Sequence, residues 1–157
     1  MEDKSYNKEI KDSLKIREAN PQDIHEILSL YASINDEGET IDINEALSLF
    51  EKMKSYPYHK VFVVEKNERV LATFALTIID YMAHGGKKVG ILEDLVVEER
   101  HRRKGIGTEI LKFAISECRK NGCYKLALSS NLRREKAHRF YEKNGFKLHG
   151  YSFYTTL

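Results

Sequence analysis

The chain lacks any apolar stretch approaching the ~20 residues of a membrane span, and its polar start is not that of a secretory signal. It has only two cysteines, Cys118 and Cys123, and neither has a metal-ligand neighbour at useful spacing. They read as reduced core thiols, so a cytoplasmic protein is expected. His25, His59, His84, His101, His138 and His149 likewise show no paired spacing of a metal site. Net charge is only +2 despite 26 basic residues, which excludes a general nucleic-acid binder. There is no internal repeat, linker or low-complexity segment. A single domain over residues 14–157 is expected, with residues 1–13 as a polar, mobile arm.

What is present is concentrated between Val89 and Asn121. The run Val89-Gly90-Ile91-Leu92-Glu93-Asp94-Leu95-Val96-Val97 is β-branched and reads as a strand. Arg100-His101-Arg102-Arg103-Lys104-Gly105-Ile106-Gly107-Thr108 follows as a basic, glycine-containing turn. Ile110, Leu111, Ala114, Ile115 and Cys118 then recur at helical spacing, so a helix over Thr108–Lys120 is expected. Such a turn presents main-chain N–H groups at the positive end of a helix, and its glycines permit close approach. With five basic or potentially basic side chains beside it, a polyphosphate fits better than one carboxylate. It is neither of two familiar nucleotide loops. A P-loop needs two glycines four residues apart followed by Lys and Ser or Thr, and a dinucleotide loop needs glycine where Ile110 stands.

Around this unit the chain alternates strands and helices. Leu14–Arg17 reads as a short strand, and Asn20-Pro21-Gln22-Asp23 opens a helix to about Ser33 with Ile24, Ile27, Leu28 and Tyr31 inward. Asn35–Thr40 is an acidic loop, after which Asp42 caps a helix carrying Ala46, Leu47, Phe50 and Met53. His59–Glu65 and Arg69–Ile79 are two antiparallel strands about the turn Lys66-Asn67-Glu68. Tyr81–Lys88 turns back into the organising strand, and His84 and Tyr81 would line the acceptor side if that hairpin folds over the cleft. Beyond the stop Asn121-Gly122, Tyr124–Ser129 is a strand parallel to Val89–Val97, because a helix crosses between them. Ala137, Phe140 and Tyr141 share one face of a last helix, and Phe146-Lys147-Leu148 starts a further strand.

Two motifs now carry a resemblance. Arg102-Arg103-Lys104-Gly105-Ile106-Gly107 resembles the coenzyme A loop of the GNAT superfamily of N-acetyltransferases, Arg/Gln-x-x-Gly-x-Gly/Ala. Ala137-His138-Arg139-Phe140-Tyr141-Glu142-Lys143-Asn144-Gly145-Phe146 matches that superfamily's second signature, Ala-x-x-Phe-Tyr-Glu-Lys-x-Gly-Phe, at nearly every place. The stretch Leu128–Asn131 through Ala137–Tyr141 is similar to aminoalkylphosphonate N-acetyltransferases. Glu93–Val97 and Gly122–Lys125 are similar instead to glucosamine-phosphate N-acetyltransferases. The resemblance spans residues 14–157. It implies an α/β (α+β) GNAT fold: a central mixed, mostly antiparallel sheet of six to seven strands, about four flanking helices, and parallel strands that splay at the coenzyme A site.

It also implies acetyl-CoA as cosubstrate, with no metal. Arg102, Arg103, Lys104, Gly105, Ile106, Gly107 and Thr108 would hold the pyrophosphate. Leu95, Val96 and Val97 would pair with the pantetheine arm as an added strand does. Asn131, Ala137 and Phe140 are further coenzyme contacts, and Tyr141 becomes the general acid for the departing thiolate. The chemistry needs a base on the other side of the acetyl group, since the amine must be neutral to attack. Glu93 and Asp94 are the candidates. On a regular strand at most one looks into the cleft, although a bulge of the kind usual in the family removes that parity argument. Glu93, acting through a water, ranks before Asp94.

The expected activity is acetyl transfer from acetyl-CoA to a primary amine by direct attack, with a small-molecule acceptor ahead of a protein. The partner is that amine, with no nucleic acid and no membrane, and homodimerisation is compatible with the family. The alternative is a coenzyme A-binding sensor or interaction module without catalysis on the same fold.

Overall fold

The structure is a computed structural model that describes residues 14–34 and 41–157. The expected N-terminal arm and the Asn35–Thr40 loop lie outside the described residues. The chain divides into two compact units, Met1–Ala127 and Leu128–Leu157.

The first unit is built on a sheet ordered β1-β2-β3-β4-β5. Its strands are β1 (Lys15–Glu18), β2 (His59–Lys66), β3 (Arg69–Asp80), β4 (Lys88–Val97) and β5 (Cys123–Leu128). The first three neighbouring pairs are antiparallel. The helix between β4 and β5 makes the last pair the parallel one, so the sheet is mixed. Among the described residues this unit holds three helices of nine residues or more, α1 (Ile24–Ala32), α2 (Ile43–Met53) and α3 (Ile106–Lys120), and a single helical turn at Ala83–Gly86 between β3 and β4. The second unit holds α4 (Glu135–Lys143).

Local chemistry explains where these elements begin. Asn20 and Asp23 form a reciprocal capping box: the Gln22 N–H donates to Asn20 Oδ1 at 2.9 Å, and the Asn20 N–H donates to Asp23 Oδ2 at 2.8 Å. Pro21 opens a 3-10 turn, Pro21–Asp23, that runs directly into α1. The Arg17 guanidinium grips both carboxylate oxygens of Asp23, at 2.7 and 2.8 Å, and donates to Glu65 at 2.7 Å. That guanidinium holds the Asp23 carboxyl below its ordinary range, against the opposing effect of burial. One side chain thus ties β1, β2 and the start of α1 together. At α2 the Asn44 N–H donates to Asp42 Oδ1 at 2.8 Å, as expected of a cap. The β2–β3 hairpin turns through Asn67 and Glu68, both with positive φ, as a two-residue hairpin loop requires.

Side-chain alternation assigns the two faces of the sheet. Phe62 and Phe74 stack at 5.1 Å between centroids, and Phe113 of α3 meets them edge-on at 5.1 and 6.0 Å. Residues paired with Phe74 therefore face α3, where Ile110, Leu111 and Ala114 are almost wholly buried. The other face carries Val61, Val63 and Val96, which cluster with Ile24, Ile27 and Leu30 of α1 and with Ala46 and Phe50 of α2.

The sheet has five strands where six to seven are expected. Phe146-Lys147-Leu148 forms no strand, and residues 145–157 have no regular secondary structure. Leu148, Tyr151, Phe153 and Tyr154 are 79% or more exposed. Alternation along a segment makes it fit to be a strand, but a strand also needs a neighbour to complete its hydrogen bonds, and none is recorded for this segment among the described residues. Helix α3 also starts two residues before its expected position, because Ile106, 1% exposed, anchors its first turn.

The junction of β4, α3 and β5 generates a prediction. A Cβ on Gly90 would overlap the Sγ of Cys118 and come within 3.2 Å of Leu126. Gly90→Ala is expected to destabilise the protein by about 1–3 kcal/mol, the usual range for overpacking. Cys118→Ala in the same chain should restore part of the loss, since it removes the overlapping atom. Thermal unfolding of the two single variants and the double variant checks this, and strictly additive losses would show that the contact is not the cause.

Candidate active site

The site begins at a fault in the β3–β4 ladder. Thr73 pairs with Val96 and Ala75 with Glu93, so Phe74 alone stands opposite both Asp94 and Leu95. This is a β-bulge. Asp94 takes φ +52°, a left-handed conformation that aspartate tolerates better than most residues. Glu93, paired with Ala75, lies on the α1 face of the sheet. Burial, and after it the charge of Asp94, push the Tyr31 phenol of α1 up to about 12. Strict alternation would have placed these two carboxylates on opposite faces. The bulge removes that parity, and both carboxylates are exposed.

Beyond the bulge, β4 runs through Leu95, Val96 and Val97 to a braced turn. The Glu98 N–H donates to the Leu71 carbonyl at 2.8 Å. The Glu98 carboxylate takes Arg69 on one oxygen and lies 2.6 Å from His101 Nδ1 on the other. This fixes a 3-10 turn over Glu99–His101. Arg102 then reaches back, donating from Nε to the Val97 carbonyl at 3.0 Å. Arg103 and Gly105 both turn left-handed, with φ +62° and +88°. Gly105 is the N-cap of α3 and supplies no side chain to cap it. The first helical bond of α3 runs from the Glu109 N–H to the Gly105 carbonyl at 3.1 Å. The amides of Ile106, Gly107 and Thr108 precede that bond and are the orphan donors of the helix start. Left-handed residues before such donors form a concave main-chain nest suited to an anion. Lys104 and Arg103 add cationic side chains to the same turn.

These observations fit an extended phosphate-bearing coenzyme. Three residues of strand, about 10 Å at ~3.3 Å each, separate Asp94 from Val97, the last strand residue before the turn. In the second unit Tyr141 is half-buried among Phe140 and Phe146, at 5.3 and 6.0 Å between ring centroids. Burial raises its phenol pKa, and the Arg134 charge opposes the rise. Ala137 and Phe140 share its helix. Asn131 accepts the Arg133 N–H at 2.9 Å, which shapes the turn before α4. Beside it, the Ser130 hydroxyl is buried without a hydrogen-bond partner, a polar group awaiting one. Among the described residues no three His, Cys, Asp or Glu side chains gather as metal ligands, and no helix is long and apolar enough to cross a membrane.

Nothing in the sequence announces that the Ser130 hydroxyl is buried without a partner, or that the Asp94 charge reaches Tyr31, which reads only as an inward residue of α1. His84 packs its ring 5.0 Å from that of Tyr124 on β5. Cys118 is buried, and burial, reinforced by Cys123, pushes its thiol up to about 12, so it stays a thiol at neutral pH.

A bulged strand running into a helix start with unpaired main-chain donors, on a mixed sheet with helices on both faces, makes up an α/β fold. Residues 22–146 match the model of the acetyltransferase (GNAT) family, and the chain belongs to that family. It is similar to a glucosamine 6-phosphate N-acetyltransferase of Trypanosoma brucei brucei, 37% identical over 90 residues, which are 57% of this chain and 59% of the relative. It is also similar to an aminoalkylphosphonate N-acetyltransferase of Salmonella typhimurium, 32% identical over 92 residues, 59% of each. The matches thus span about six-tenths of the length of these relatives. The crystal structure of glucosamine-6-phosphate N-acetyltransferase from Arabidopsis thaliana superposes with a TM-score of 0.80 at 26% identity, over 91% of this chain and 97% of that one. Both resemblances carried by the motifs are therefore found in the comparisons.

The turn geometry sets a test of the anion site. Gly105 at φ +88° cannot become valine without backbone strain, so Gly105→Val would confuse folding with binding. Asparagine tolerates this conformation and still adds a side chain at the helix start. Gly105→Asn is expected to keep the fold and to weaken acetyl-CoA binding at least tenfold by calorimetry, about 1.4 kcal/mol. Unchanged affinity in the folded variant would remove the pyrophosphate from this turn.

Proposed function

We propose that the protein is an acetyl-CoA-dependent N-acetyltransferase acting on a primary amine of a small molecule by direct attack. The observation that carries the proposal is the course of β4: two exposed carboxylates at its bulge, then a concave turn of main-chain donors at the helix that follows. A ligand that reaches both must be long, negatively charged at one end and reactive at the other. The family match supports reading it as acetyl-CoA.

In this reading the amides of Gly105–Thr108, with Arg103 and Lys104, hold the pyrophosphate. Arg102 is committed to the Val97 carbonyl and contributes through its main chain. Leu95, Val96 and Val97 present the strand to which the pantetheine arm pairs. Asn131, Ala137 and Phe140 are the proposed contacts from the second unit, and the unpartnered Ser130 hydroxyl is added to them. Acetyl-CoA, when bound, supplies the thioester carbonyl.

The chain's own residues then have three tasks. An ammonium acceptor must lose a proton, and Glu93 and Asp94 are the pair from which that base comes, directly or through a water. Tyr141, kept protonated at neutral pH by burial, donates its proton to the thiolate as the C–S bond breaks. Arg134 then faces the tyrosinate with a favourable charge. The relatives named above are N-acetyltransferases of an amino sugar phosphate and of aminoalkylphosphonates, which supports a small amine as acceptor here.

A thiol-release screen across amino sugars and their phosphates, aminoalkylphosphonates, polyamines, amino acids and N-terminal peptides tests the proposal. Turnover of a small amine is the expected result. Binding of acetyl-CoA with no turnover of any acceptor would favour the coenzyme-binding module instead. With a competent amine, Tyr141→Phe keeps the ring and deletes the proton, so turnover should fall by about 10²–10⁴ with little change in coenzyme affinity. Full turnover in that variant, with chemistry rate-limiting, would leave Tyr141 only its packing role.

A further inference from the structure

The main-chain donors at the start of α3 converge only while a costly backbone conformation stands. Between β4 and α3 the chain passes through Arg103 at φ +62°, a left-handed conformation that crowds any side chain against its own carbonyl. Nothing in arginine favours it, so the two ends of the turn must impose it. The α3 end is fixed by Ile106, 1% exposed in the core. The β4 end is fixed by Glu98. Its N–H donates to the Leu71 carbonyl at 2.8 Å, and its own carbonyl accepts the His101 N–H at 2.9 Å. Its carboxylate spans from Arg69, at the start of β3, to His101 Nδ1 at 2.6 Å. His101 is therefore tied to Glu98 through main chain and side chain at once. Arg102 closes the same end, donating from Nε to the Val97 carbonyl at 3.0 Å. Arg103, Lys104 and Gly105 are all that lies between the two anchored ends.

Resting on the acetyl-transfer reading, we propose that Glu98 is a positioning residue for the coenzyme. By tying Arg69, Leu71 and His101 together it holds Arg103 left-handed, and so keeps the Ile106, Gly107 and Thr108 amides converged on the pyrophosphate without touching it. Once the tie is cut, Arg103 relaxes toward the conformations arginine prefers, and every binding event has to restore the turn. Apparent affinity then falls in proportion to the fraction of molecules that still hold it. A role through charge has the opposite sign. Glu98 is an acid beside a turn that receives an anion, so by Coulomb's law alone its removal, which also leaves Arg69 uncompensated, would tighten binding. Positioning weakens binding where charge would strengthen it.

Calorimetry of acetyl-CoA binding to the full chain reads that sign. Glu98→Ala should weaken binding about five- to thirtyfold, the equivalent of one left-handed residue, and the loss should persist at high salt, where a charge effect is screened. Unchanged or tighter binding overturns the proposal. In an Arg103→Gly background the same substitution should cost about twofold, because glycine enters the left-handed region freely. An equal loss in both backgrounds would reduce Glu98 to a stabilising residue and overturn it. With a competent amine, Glu98→Ala should raise the KM for acetyl-CoA and leave kcat and the acceptor KM unchanged, and a fall in kcat without a rise in that KM counts against it. Should Glu98→Ala not fold, His101→Ala opens the same tie from its far end and is read the same way. If the unaltered chain binds no acetyl-CoA, the acetyl-transfer reading fails and the coenzyme half of this proposal falls with it. The distance from the Arg103 amide proton to its Hα, short only at positive φ, still decides by nuclear Overhauser effect whether Glu98 holds the turn. It should lengthen in Glu98→Ala, and an unchanged distance overturns the tie.

Discussion

One inserted residue in β4 governs the candidate site. Without it, Glu93 and Asp94 would alternate across the sheet, and one would be driven toward the aromatic layer formed by Phe62, Phe74 and Phe113. With it, both carboxylates are exposed while Leu92 stays buried before the fault and Val96 after it. The sheet keeps its apolar core on both sides of the fault, and the cost is confined to the left-handed backbone of Asp94. A bulge also raises local twist and interrupts pairing, which frees the following backbone for another partner. Charge placement and strand availability thus follow from the same defect.

The fold was legible wherever the signal was local. The Asn20 and Asp42 caps, the Asn67-Glu68 turn and the helical periodicity of α3 are encoded in neighbouring residues and appear within a residue or two of their expected places. The tail after Gly145 shows the opposite case. Its alternation of apolar and polar residues is real, yet a strand is a property of two segments, and one segment's sequence does not contain the other. The site divides the same way. The glycine turn is a local device and could be read directly, as could the shared helix face of Ala137, Phe140 and Tyr141. The bulge at Asp94 depends on the register between β3 and β4, which is not written in the spacing of the residues concerned.

The comparisons and the physical reading agree at the level of family and diverge in what they say about the acceptor. The relatives are named for amines that carry a phosphate or a phosphonate. Such an acceptor brings a dianion with its amine and needs cations placed to meet it. On the α1 face of the sheet, Arg17 is engaged by Asp23 and Glu65. The exposed charges at the bulge itself are both negative. This favours recognition of the acceptor through its ammonium end, with any anionic group directed away from Glu93 and Asp94.

The two ends of β4 also explain why a long coenzyme and a cationic nucleophile can be handled by one strand. Opposite charges gathered at a single spot would pair with each other and neutralise the site. Here the nest at Arg103–Thr108 is braced from behind by Glu98, which is itself held by Arg69 and His101. The carboxylates lie about 10 Å of strand back from its end. At physiological ionic strength that separation is comparable to the screening length of about 8 Å, so each group retains most of its field for its own ligand. The intervening Leu95-Val96-Val97 carries no charge, and its backbone is what remains to hold the uncharged middle of the coenzyme. Under the proposed function the strand would read from bulge to turn as ammonium site, neutral arm and phosphate site, in the order in which an amine and a thioester coenzyme must meet.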